Sequence, residues 1–155
     1  MRQWTTALRR GFIALSVVWA AALPLATWQS GFLALGVYAI GAAVCHQLPD
    51  RSFHLWHRQM AVCARCTGIY VGAAIAAVVV ALVRRKGSRR RSPAFRASFG
   101  ARARSSALLV AGLAPNVGTV IFEWTTGITP ANWIRAAAGL ALGAAVATVV
   151  IYEVN

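Results

Sequence analysis

The stretch from Gly11 to Pro49, GFIALSVVWAAALPLATWQSGFLALGVYAIGAAVCHQLP, holds 39 residues without a charged side chain. A helix needs about 20 apolar residues to cross the hydrocarbon core. The run is therefore too long for one span and belongs in a bilayer. Thr27-Trp28-Gln29-Ser30-Gly31 reads as a turn, approached by Pro24. This divides the run into a helix over 10–28 and a shorter one over 31–46 that ends in Cys45-His46. Arg9-Arg10 before an apolar stretch resembles a signal peptide, but Pro24 spoils the cleavage site after Ala26, which favours a retained helix.

Working outward, the composition agrees. The 155 residues suffice for one domain, 59 % are hydrophobic and 12 % are charged, and the mean hydropathy is +0.61. A soluble domain carries about twice that charged fraction. Further apolar runs predict helices over 66–83, 105–123 with Pro115 inside, and 131–152. The fold class is thus all-α, a polytopic membrane helix bundle of four to five transmembrane helices in one domain, 1–155. Gly68, Gly72 and Ala76, and again Gly139, Gly143 and Ala147, recur at four-residue spacing, which marks faces for close helix packing.

The net charge of +13 is unevenly placed: nine of the sixteen basic residues lie between Arg84 and Arg104. This 84–104 linker reads as a cytoplasmic topology signal that also meets anionic lipid headgroups. Too few aromatic residues interleave with it for nucleic-acid binding. With the linker inside, the third helix carries the polar motif outward, in the cell (inner) membrane, and Trp56, Trp124 and Trp133 form an outer aromatic belt. Arg2, Arg9 and Arg10 fit that orientation only if the second apolar segment does not fully cross.

All three cysteines and all three histidines fall within positions 45–66. The segment 47–62 is too charged to cross and reads as an interfacial loop or short helix, with His54 and His57 on one helical face. Cys63 and Cys66 have C-x-x-C spacing, and Cys45 with His46 completes a Cys3His set, a tetrahedral zinc composition. The expected metal ligands are Cys45, His46, Cys63 and Cys66, for zinc or another transition metal. Gln47, Arg51, Arg65, Glu123 and Arg135 are expected nearby. The plain reading of Glu123 is an ion pair with Arg135 or Arg51. As an alternative, Cys63 is a low-pKa thiolate at a helix amino end, Cys66 its partner and Cys45 a resolving thiol, which makes a membrane thiol–disulfide oxidoreductase. A structural subunit that binds a membrane partner or a second copy is the third reading. An enzyme is the less favoured class overall.

The pattern CHQ…P-x-RSF…CARCTGIY-x-G, from Cys45 to Gly72, resembles a family of small prokaryotic integral membrane proteins, domain of unknown function 2085. A weaker likeness extends to Pro115 and to Asn132…Arg135…Gly139…Gly143. The resemblance implies a polytopic membrane protein whose polar motif is its functional feature, and implies no reaction. It also implies an acid just after Pro115, where this chain has Asn116 and Val117. Glu123 is the acid that follows.

Overall fold

A computed structural model describes residues 2–87 and 98–153, which form a helical bundle wrapped around one small hairpin. In chain order come α1 (Arg2–Trp28), α2 (Phe32–Val44), a 3₁₀ turn (Pro49–Arg51), β1 (Ser52–Leu55), β2 (Arg58–Cys63), α3 (Ala64–Gly87), α4 (Ser98–Thr126) and α5 (Asn132–Glu153). Helix α1 carries the expected first helix back to Arg2, since nothing between Gln3 and Leu8 breaks it. Residues 88–97, the middle of the expected basic linker, lie outside the described residues.

Four helices are long and apolar enough to cross a membrane: Trp4–Trp28, Ala64–Val83, Arg104–Thr126 and Asn132–Glu153. Helix α2 is not among them. Its 13 residues rise about 20 Å, short of a ~30 Å hydrocarbon core. It stops at Cys45, whose extended backbone (φ −148°, ψ 139°) leaves the helix while its N–H still reaches the Gly41 carbonyl.

The segment expected as a loop or short helix is instead an antiparallel hairpin. His54 pairs with Gln59 and Leu55 with Arg58, and Trp56 and His57 make the turn, both at positive φ (50° and 61°). Two properties hide this hairpin from a reading of the sequence. The turn lacks the Asn-Gly or Asp-Gly that usually supplies such a conformation. Met60, Ala61 and Val62 are buried in succession, because helices cover both faces of β2, and two-sided burial erases the apolar–polar alternation of a strand.

A two-stranded ribbon leaves carbonyls unpaired at both edges, which is costly away from water. Polar side chains meet them here. Gln47 Nε2 donates to the Ala61 carbonyl (2.7 Å) and, from there, to that of Tyr38 in α2 (2.9 Å). The Tyr38 hydroxyl donates to the Gln59 carbonyl and Asn132 Nδ2 to that of Ser52 (3.1 Å), while Arg58 reaches out of the hairpin to the Gln29 carbonyl (3.2 Å). Gly41 admits the hairpin, since a Cβ there would lie 2.2 Å from the Ala61 oxygen. Below it, Leu23 of α1 joins Met60, Ala61 and Val62 in one apolar cluster.

The main helix contact joins α3 and α5 through their glycines. A Cβ on Gly68 would meet the Ala136 carbonyl oxygen at 2.0 Å, and one on Gly72 that of Leu140 at 2.2 Å. From the other side, Gly139 faces the Arg65 oxygen at 2.1 Å and Gly143 that of Ile69 at 1.9 Å. Two matched pairs in the same order make the helices parallel. Helix α4 runs against α5, with Asn116 bonded to Ala138 and Glu123 to Arg135. Helix α1 runs against β2 and α3, with Gln29 beside Arg58 and Trp19 edge-on to Tyr70, 5.9 Å between rings. The amino end of α1 therefore lies at the same end of the bundle as the carboxyl end of α3. Helix α2 turns back towards the start of α3, where Cys45 meets the Cys63 amide, instead of running the length of the bundle.

Candidate thiol and metal centre

Three elements converge on one cluster. Cys45 caps α2, Cys63 ends β2 and Cys66 lies in the first turn of α3. Their sulfur atoms lie within 4.8 Å of one another. None is disulfide-bonded and each is half-buried. Cys45 and Cys66 pack against the Leu23–Met60–Val62 cluster, and the Cys63 amide donates to Cys45 Sγ at 3.2 Å.

The electrostatics single out Cys63. Its thiol is lowered from 9 to about 5, first because the Cys66 S–H donates to its sulfur, and then through the Cys66 and Arg65 amides and the Cys45 thiol, against an opposing cost of burial. Those amides open α3, where donors are left free at a helix start. A thiolate is both the nucleophilic and the metal-binding form of cysteine.

His46 does not join the set: it is exposed and lies outside the sulfur cluster. The cause is local. Cys45 is extended, and along extended backbone neighbouring side chains point to opposite sides. His54 and His57 are exposed too, and occupy a strand and a turn instead of one helical face. Gln47 serves the hairpin edge, as described above, and its own carbonyl accepts from Gln59 Nε2 at 2.5 Å.

A second polar group forms where α3, α4 and α5 meet the 3₁₀ turn. Glu123 lies between two arginines, Arg51 Nη2 at 2.6 Å and Arg135 Nη2 at 3.3 Å. Arg65 turns to Thr119 Oγ1 at 3.2 Å, away from the sulfurs on either side of it in sequence. Asn116, after Pro115, gives its amide to the Ala138 carbonyl at 2.7 Å and so ties α4 to α5. Tyr38 and Thr119 carry no mark in the sequence beyond their polarity. The usable signal was an isolated polar side chain within an apolar run.

The sequence profile of a family described as "Predicted membrane protein (DUF2085)" matches residues 45–149. The uncharacterised protein MJ1492 of Methanocaldococcus jannaschii is 39 % identical over 54 residues, a stretch that covers 35 % of this chain and 35 % of that protein. No solved structure matches.

Proposed function

This chain belongs to that family of predicted membrane proteins, and from this premise we propose that it is a multi-pass protein of the cell (inner) membrane that binds a zinc-like ion through Cys45, Cys63 and Cys66. The observation that carries the reading is the convergence of three sulfur atoms from three separate elements within 4.8 Å. Zinc–sulfur bonds of about 2.3 Å put tetrahedral sulfurs about 3.8 Å apart, so a small contraction closes the set. Thiolates repel one another in apolar surroundings, and a soft cation is the natural neutraliser. Three protein ligands leave a fourth position free, which suits an ion that is exchanged or handed on better than a closed structural site. The Arg-rich 84–104 linker and the amino terminus face the cytoplasm in this reading and the thiol centre faces outward. The linker rests on anionic headgroups.

The depressed Cys63 thiol favours a second reading, thiol–disulfide exchange with Cys66 as partner and Cys45 as resolving thiol. Elemental analysis with a free-thiol count under denaturing, non-reducing conditions separates the two. The metal reading expects stoichiometric metal and three free thiols. Serine at any of the three cysteines should abolish the metal, and His46→Ala should leave it in place. Protein without metal and with a single free thiol would overturn it in favour of exchange.

A further inference from the structure

The arginines around Glu123 have no part in the thiol centre. One carboxylate faces two guanidinium groups directly, Arg51 and Arg135, with that of Arg65 close by on Thr119. Arg135 is only 3 % exposed, yet among the described residues its Nε and Nη1 have no hydrogen-bond partner, and Arg65 Nε is likewise buried and unpartnered. Buried charged donors are costly unless they are met. Like charges add to the cost, since Arg135 is repelled by Arg65 and Arg51 and attracted by Glu123. The group therefore has positive charge and donors in excess.

An open cleft of about 560 Å³ lies against it, lined by Arg51, Arg65, Glu123, Trp124 and Thr129 among others. Its size is in the range of small-ligand sites. We propose that this cleft binds a phosphate group, of free phosphate or of a lipid headgroup, between Arg51 and Arg65. The guanidinium fork matches phosphate oxygens two at a time. Thr129 offers a further hydroxyl, and Trp124 is 83 % exposed beside it. Glu123 is the competing internal anion: it offsets the repulsion between the arginines when the cleft is empty and repels an anionic ligand when it is full. The proposal stands independently of the metal reading.

The test uses delipidated full-length protein in a non-ionic detergent, titrated with inorganic phosphate and, separately, with phosphatidylglycerol or phosphatidylcholine in mixed micelles. Binding is followed by the shift in thermal unfolding. Stabilisation by inorganic phosphate identifies a free-anion site, and stabilisation by phosphatidylglycerol alone identifies a headgroup site. In either case Arg51→Gln and Arg65→Gln should each weaken binding by about tenfold to a hundredfold, as for a lost charge-assisted hydrogen bond. Arg10→Gln, at the other end of the bundle, should leave it unchanged. Glu123→Gln should tighten binding, a gain that a purely structural role for these residues does not produce. No stabilisation by either anion, or stabilisation that survives both arginine substitutions, would overturn the proposal.

Discussion

Gly143→Ala measures how tightly α3 and α5 are held. The added Cβ would lie 1.9 Å from the Ile69 carbonyl oxygen, with the Ile69 carbonyl carbon and Cα at 2.7 and 2.9 Å. All three are backbone atoms of a helix and cannot swing aside. Real Cβ atoms do not approach within 3.0 Å, so a gap of about 1 Å must open between the two helices, in an interior packed to near crystal density. Separation also loosens the matching contacts at Gly68, Gly72 and Gly139. Overpacking costs about 1–3 kcal/mol, and this case lies at the upper end. Alanine returns about 1 kcal/mol of helix propensity. The net expectation is a loss of about 2 kcal/mol. Gly118→Ala supplies the opposite sign, since nothing lies within 4 Å of a Cβ there and only the propensity gain remains. Reversible unfolding in mixed detergent micelles reads both. If Gly143→Ala is as stable as Gly118→Ala, the parallel glycine contact between α3 and α5 is refuted.

Three more outcomes follow from particular residues. In reduced, metal-free protein the Cys63 thiol is held at about 5, chiefly by the Cys66 S–H. A lowered acid stabilises the fold fully above its ordinary value of 9, and that contribution is lost as pH falls through about 5. Alkylation of Cys63 should therefore persist to about pH 5 and retreat towards the ordinary thiol range in Cys66→Ala; an unchanged profile in that variant contradicts the assigned cause. His57 occupies the left-handed region at φ 61°, so His57→Gly should raise the unfolding midpoint by the equivalent of about 1 kcal/mol, whereas a lowered midpoint would mean that the imidazole itself holds the turn. Finally, because the 13 residues of α2 are too few to cross, cysteines placed at Thr5 and at Ser92 should both stay hidden from a membrane-impermeant reagent in intact cells, while the motif cysteines react after chelation and mild reduction. Labelling at Thr5 alone would restore α2 as a full span.

Much of this protein is legible without coordinates, because burial in lipid leaves a one-dimensional trace. Uncharged runs of the length of a bilayer mark α1, α3, α4 and α5, and glycines at four-residue spacing mark the faces of α3 and α5 that meet. The grouping of Cys45, Cys63 and Cys66 within 22 positions marks the thiol centre. What the tertiary structure alone decided depends on partners distant in sequence. The 52–63 segment becomes a hairpin because its edges are met by Gln47 and by Tyr38 and Asn132, which lie 21 and 80 residues from the carbonyls they reach. His46 leaves the sulfur cluster because α2 ends in extended backbone at Cys45, so one residue turns towards Cys63 and the next away. Glu123 could be read as the partner of one arginine or another, and it faces both Arg51 and Arg135 because α4, α5 and the 3₁₀ turn meet at one point. Hydropathy and spacing record which environment a segment occupies, whereas the direction of a single side chain is set by the packing of elements that only the folded chain brings together.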